Sequence, residues 1–440
     1  MATHSNPSSS RRPGARGASN ASAHGRELAS IEVDLADLAV ANLRSKPRDF
    51  KATVLTNDAL DGALEVDPTI RAGGVCAEMS VMTRAAATYA WPETLRLPAR
   101  PPKLVYLDLN HWVSLAKAHT GHREGEQFKD ALAACIDAVD RGVAVFPVSD
   151  SIYIEVSKIG QYRQRRDLRD VIERVSGYRV VTSRVVVAEH EVEGLLDRLV
   201  GPSPDPINAM DYLDWGVARA FGKVGGFRIK SKDTDEDMTD EDRSRHPEGP
   251  EAFDRKLARA ELELNRKTLD GPTAEEEPQM RSTGWDPMAA FEVALRRTTQ
   301  EMEQVERFNA DPSWRRGRIR DVIAAREVII EINDMLWRGL SARGTELEAA
   351  FPEPEETLRA FDSMPSFDVS VSLKTAFHRD PSHRWKPNDI QDIDALSSTV
   401  PYCDIVVTDK EAASHLVRTG VADRLQTTAL SSISDLARHV

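Results

Sequence analysis

Between residues 103 and 200 short apolar runs alternate with stretches of helical period, and this alternation constrains the chain more than any other feature. Lys103-Leu-Val-Tyr-Leu-Asp108 is an apolar run closed by an acid, followed by a helical pattern over residues 112–119. A helix over 125–141 and a strand over 143–148 come next. Ser149 or Asp150 then opens a helix that runs to about residue 159, because a short polar side chain satisfies free backbone N–H groups. A basic helix over 162–175, a strand over 179–182 and a helix over 185–200 continue the series. Strands alternating with helices predict an α/β fold, a parallel sheet covered on both faces.

The alternation stops at Gly201-Pro-Ser-Pro-Asp-Pro206. Residues 207–223, 250–269, 287–308 and 315–340 are helical in pattern and no strand candidate interrupts them, so 202–365 is expected to be a helical insertion. Strand signal returns at Asp404-Ile-Val-Val-Thr408, before a helix over 410–418, a short strand over 425–427 and a last helix over 431–438. The α/β domain is therefore expected to comprise residues 101–201 and 366–440. Ahead of it, residues 1–25 lack apolar periodicity and are predicted to be a disordered tail. Residues 26–100 carry weak helical patterns at 28–43 and 78–90 and give no role, and the proline run at 97–102 is expected to be a stiff linker.

Within the domain, acids recur where a strand ends or a helix begins. Asp108 closes the first strand, and Glu155 lies one turn into the helix after the second. Asp389 and Asp392 share a helix face, while Asp404 and Asp409 flank the late strand. Ligands of open α/β sheets bind outside the carboxyl ends of the strands, where Asp108 and Asp409 are expected to emerge. Converging carboxylates repel unless a cation sits among them, and hard ions such as Mg²⁺ or Mn²⁺ take oxygen ligands.

These segments resemble PIN-domain nucleases. Tyr106-Leu-Asp-Leu-Asn-His-Trp112 is similar to the opening strand end of that family, and Ser149-Asp-Ser-Ile-Tyr-Ile-Glu155 to its second acidic segment. Asp389 to Asp409 resembles its closing pattern of acids, a small-residue helix and an apolar strand ending in Thr-Asp. The resemblance implies a PIN-like three-layer α/β/α fold, here with the insertion, and a Mg²⁺- or Mn²⁺-dependent endoribonuclease. It places Asp108, Glu155, Asp392 and Asp409 in the catalytic positions, with Asp404 competing for the last metal position and Asn110, Thr408 and Asp389 in support. His111 is expected at the surface.

Two arginine groups are candidate phosphate contacts: Arg163, Arg165 and Arg166 beyond Glu155, and Arg316 and Arg320 near a predicted helix start in the insertion. The net charge of −13 excludes a global positive field but leaves local patches free to hold RNA. DNA of a particular structure is the alternative substrate, and a non-catalytic interaction protein the alternative class. An inhibitory partner, as in toxin–antitoxin systems, is a further expectation. Three scattered cysteines form no CxxC pair, so neither a disulfide scaffold nor a zinc knuckle is expected, which agrees with a reducing cytoplasm. No stretch of about 18 apolar residues predicts a membrane span, and Arg11-Arg12 precede Pro-Gly rather than an apolar secretion signal. Phosphate-loop, dinucleotide and serine-hydrolase motifs are absent from the sequence. The acidic run at 233–242 has Met238 where a calcium loop needs Gly.

Overall fold

A computed structural model describes residues 89–440 except 224–226, 232, 233, 235 and 316. The expected tail, the N-terminal helical patterns up to residue 88, Cys76 and Arg316 lie outside the described residues. The strands are β1 (Leu95–Arg96), β2 (Lys103–Leu107), β3 (Ala144–Val145), β4 (Arg179–Val181), β5 (Met210–Asp211), β6 (Leu213–Trp215), β7 (Ile405–Val407) and β8 (Thr428–Leu430). Four of them form a sheet of order β3-β2-β7-β8 in which every pair is parallel, so the chain is of mixed α/β class.

The main helices are α1 (Leu109–His119), α2 (Lys129–Asp140), α3 (Asp150–Ser157), α4 (Tyr162–Ser176), α5 (Arg184–Leu199), α6 (Pro250–Asp270), α7 (Ala289–Ala310), α8 (Ile319–Glu327), α9 (Asn333–Ala342), α10 (Pro365–Arg379), α11 (Pro387–Thr399) and α12 (Lys410–Arg418). Alternate residues of a strand point to opposite faces of its sheet. Val105, Leu107 and Val407 accordingly join a core with Trp112, Ile152 and Val171, from α1, α3 and α4. Leu104, Tyr106 and Val406 join another with Leu373, Ile393 and Leu416, from α10, α11 and α12. Trp112 is fully buried; sequestering a side chain of that size stabilises by about 2–3 kcal/mol and fixes α1 directly behind Asp108.

Three expectations need correction. Residues 179–182 do not extend the parallel sheet: β4 pairs antiparallel with β6 and meets the main chain before α3 only through a Val148–Val180 bridge. The region 202–365 does contain strands, β5 and β6, where a helix over 207–223 was expected and only Val217–Ala220 is helical. Their partners are β1 and β4, so tertiary pairing overrides the local pattern. The helix expected over 315–340 is divided into α8 and α9 by a π-helical turn at Val328–Ile332. A third core joins Val192, Leu195 and Leu196 to Phe308, Ile323, Leu336, Phe361 and Val371, tying the intervening helices to α5 and α10. Among the described residues no helix is long and apolar enough to cross a membrane.

Candidate functional site

Register builds the site. β2 and β7 pair Leu107 with Val407, which sets Asp108 beside Thr408 at the carboxyl edge of the sheet. Asp108 is the N-cap of α1: its Oδ1 accepts from the Leu109 N–H at 2.7 Å, and Oδ2 faces the Thr408 hydroxyl at 3.4 Å. The carboxylate is 8% exposed, and its pKa is raised, by burial first, with repulsion from Asp409 adding to it. Asp409 caps α12, its Oδ1 accepting from the N–H groups of Glu411 at 2.6 Å and Ala412 at 3.1 Å.

Glu155 and Asp392 approach from α3 and α11. Burial foremost, then the charge of Asp108, pushes the Glu155 carboxyl up to about 7. Burial again leads for Asp392, pushed to about 9, with Asp108, Glu155, Asp409 and Asp389 all repelling it. Among the described residues neither carboxylate has a hydrogen bond or ion pair of its own, although α11 carries three acids. Asp389 is spent on the helix start, accepting from the Lys386 N–H at 2.7 Å and facing His383 Nε2 at 3.2 Å. Asp394 is held by Arg184 and Arg297. Of the three, Asp392 alone has no hydrogen bond or ion pair among the described residues; the positive group it feels is Lys158.

Asp404 is not part of this group. It precedes β7, accepts from the Leu104 N–H at 2.8 Å and pairs with Arg100, at the amino edge of the sheet. Four residues of strand, roughly 13 Å at 3.3 Å each, separate that edge from Asp108. Asn110 is exposed and does not bond Asp108, which draws its support from Thr408 and a backbone amide instead. His111 is buried rather than at the surface, with Nε2 3.1 Å from the Thr408 carbonyl.

Further side chains complete the surroundings. The buried Tyr106 hydroxyl lies 3.2 Å from Ser149 Oγ, and its pKa is driven up by burial and then by Asp108, Glu155 and Asp392. Ser149 holds the N-cap position of α3 but its hydroxyl faces Tyr106 instead of capping. Lys158 donates to Gln391 at 2.7 Å; burial lowers its pKa against the pull of Glu155 and Asp392. The signal for Tyr106 was its place two residues before Asp108 on one strand, and for Lys158 its place three residues after Glu155 on one helix.

Among the described residues, no three His, Cys, Asp or Glu side chains close into a ready-made metal cage. The acids nevertheless feel one another's charge. Coulomb repulsion acts over longer distances than the 2.0–2.6 Å or so of a ligand bond, so mutually repelling carboxylates stand apart at ranges where their pKa values still shift. In kind, the donors fit a hard divalent cation: carboxylate oxygens with hydroxyls nearby and no thiol or free imidazole among them.

The arginine groups divide. Arg165 is buried and donates to the carbonyls of Ile159 at 2.6 Å and of Asp270 and Pro272 at 2.5 Å, so it ties a loop down and is not a phosphate contact. Arg163 and Arg166 are exposed on the same helix. Arg320 is also corrected, since Asp362, Asp368 and the Ser372 hydroxyl occupy its guanidinium. The Arg165→Ala variant should lose about 2–4 kcal/mol of stability by stranding three carbonyls, with an unchanged salt dependence of RNA binding. Denaturant melts and a salt series of filter-binding measurements check both halves.

The chain matches no protein-family model, no curated protein and no solved structure.

Proposed function

We propose that the chain is a divalent-metal-dependent endoribonuclease of PIN-like type, with Asp108, Glu155 and Asp392 as the metal-binding acids and Asp409 at their margin. The observation that carries this reading is electrostatic. Two largely buried carboxylates, Glu155 and Asp392, make no hydrogen bond or ion pair among the described residues and, with only Lys158 as an opposing charge, are pushed far above the usual carboxylate range beside a third, Asp108. Keeping such groups ionised at neutral pH is costly unless a cation arrives from outside.

Bound Mg²⁺ or Mn²⁺ would supply a water of lowered pKa and offset the charge gathering on the scissile phosphodiester. The remaining work falls to the chain. The Leu109 amide and the Thr408 hydroxyl hold the Asp108 carboxylate in one orientation. Lys158, fixed by Gln391 and close enough to Glu155 and Asp392 to feel their charge, is the donor this reading assigns to a phosphate oxygen crossing the acids. Tyr106 keeps its proton and can only donate to, or accept from, a neighbour.

Incubation of the protein with structured RNA and single-stranded DNA, with Mn²⁺ or EDTA, tests the reading. Internal cleavage of RNA with Mn²⁺ and none with EDTA is the expected result. DNA cleaved in preference would move the substrate to the alternative. A metal that binds only the folded state stabilises by about 2.7 kcal/mol at a hundred times its Kd. Mn²⁺ should therefore raise the wild-type melting temperature and leave Asp392→Asn nearly unmoved. No cleavage and no Mn²⁺-dependent shift would leave the non-catalytic interaction protein as the better account.

A further inference from the structure

Outside the acidic cluster lies a groove of about 820 Å³ between α10 and α12, lined also by Tyr89, Arg320 and Arg424. Its size is that of a small-molecule site. The charged groups facing it fall into two sets. At one end Asp368 is neutralised: it accepts from Arg424 at 2.8 Å, Arg320 at 2.9 Å and the Tyr89 hydroxyl at 2.7 Å. Arg320 also holds Asp362 at 2.6 Å. That end is saturated.

The other end is not. Arg379, at the last position of α10, is exposed and makes no hydrogen bond or ion pair among the described residues. Arg418, at the last position of α12, meets only His415 Nδ1 at 3.0 Å, and because arginine always donates, that nitrogen must be the acceptor of a neutral imidazole. Thr375 lines the same groove, is 3% exposed, and has a hydroxyl with no hydrogen-bond partner among the described residues. The acid at this end, Asp380, has turned one oxygen to the Ser382 amide at 2.8 Å and hydroxyl at 2.6 Å. Glu411, next along α12, faces His415 and His383.

We infer that the Arg379–Arg418 end of this groove binds the phosphate monoester of a nucleotide. Two guanidinium forks and an idle buried hydroxyl offer more donors than a carboxylate can accept, and match a tetrahedral oxyanion with three terminal oxygens. A phosphate oxygen would give the buried Thr375 hydroxyl the partner it lacks, since a desolvated donor is rarely left unsatisfied. The nucleotide is either free or the terminal residue of an RNA strand. Arg418 is nine residues along α12 from Asp409, about 13–14 Å at 1.5 Å per residue, so a strand end held here comes within a few nucleotides of the acids.

The experiment is calorimetric titration in EDTA, so that cleavage plays no part, with inorganic phosphate, AMP and a short RNA carrying either a 5′-phosphate or a 5′-hydroxyl. Wild type should bind phosphate and AMP saturably and competitively. The Arg379→Gln, Arg418→Gln double variant should lose tenfold or more of that affinity, about 1.4 kcal/mol, with its melting temperature unchanged. Thr375→Val should lose several-fold by removing the hydroxyl alone. A preference for 5′-phosphorylated RNA over AMP marks a strand end as the source, and equal affinities mark a free nucleotide. Absence of saturable phosphate or AMP binding to wild type, or equal affinity in the double variant, overturns the inference. Neither result depends on whether the acids cleave RNA.

Discussion

Asp392→Asn is expected to lower RNA cleavage by about a thousandfold or more while making the metal-free protein more stable at pH 8. The loss follows from several kcal/mol of transition-state stabilisation resting on an intact ligand set. The gain follows from linkage. Asp392 is pushed to about 9 and Glu155 to about 7, so between the unfolded carboxylate range near 4 and those values the folded chain binds more protons than the unfolded one. Stability then falls as pH rises through that window, and the deficit is largest above it. Replacing the Asp392 carboxylate with an amide removes one charge of the repelling set and breaks no hydrogen bond or ion pair. We expect a gain of about 1–3 kcal/mol at pH 8 that shrinks towards pH 5. Thermal melts in EDTA at pH 5, 6, 8 and 9, paired with cleavage rates in Mn²⁺, provide the measurement. A lower melting temperature with cleavage retained would make Asp392 a structural residue and remove the metal site.

Asp108 was legible because an apolar run that ends in an acid fixes both the strand and the edge at which the acid emerges. The choice between Asp404 and Asp409 was legible by the same reasoning. In a strand parallel to β2, only the residue after the strand shares an edge with Asp108. Arg165 also carried its own signal. Leu168, Val171, Ile172 and Val175 mark the buried face of α4, and position 165 falls on that face at helical spacing. Asp392 was set apart from Asp389 only by the resemblance, because residue types and spacing put both on one helix face. The physical difference lies in the helix-start amide of Lys386, which occupies Asp389, and in Arg184 and Arg297, brought from other segments to Asp394. β5 and β6 were illegible for a related reason. Two- and three-residue strands have almost no pattern of their own and exist through β1 and β4. The π-helical turn of Val328–Ile332 likewise sits inside an unbroken helical pattern; it follows Glu327 and contains Glu331, whose partners come from three other helices.

Those partners lead to the largest expected stability effect in the molecule. Lys374, on α10, is buried and donates to Glu327 at 2.6 Å, with Glu301 3.3 Å away. Arg184 binds Glu327 and Glu331, and Arg297 joins Glu331 to Asp394 on α11. Arg326 and His378 complete the shell of Glu301. A buried ion pair adds little over an apolar pair, but removing one partner leaves a charge stranded and costs about 3–5 kcal/mol. Lys374→Met should therefore destabilise by about that amount, since Glu301 and Glu327 lose a shared cation in a site closed to water. The pH dependence should have the opposite sign to that of the acids at the sheet edge. Although burial acts to raise them, Glu301 and Glu331 are held well below the ordinary carboxylate range by Lys374, Arg326, Arg297 and Arg184. Their contribution is present above about pH 4.5 and lost as pH falls towards their folded values. With Glu155 and Asp392 losing stability on the alkaline side, the metal-free protein should be most stable near pH 5. Mn²⁺ should move that optimum upward by relieving only the alkaline loss. Urea melts of wild type and Lys374→Met from pH 3 to 9 measure this. The difference between them should narrow below pH 4, as the glutamates protonate and no longer need the lysine. A difference independent of pH would mean that Lys374 stabilises by packing its stem, not by its charge.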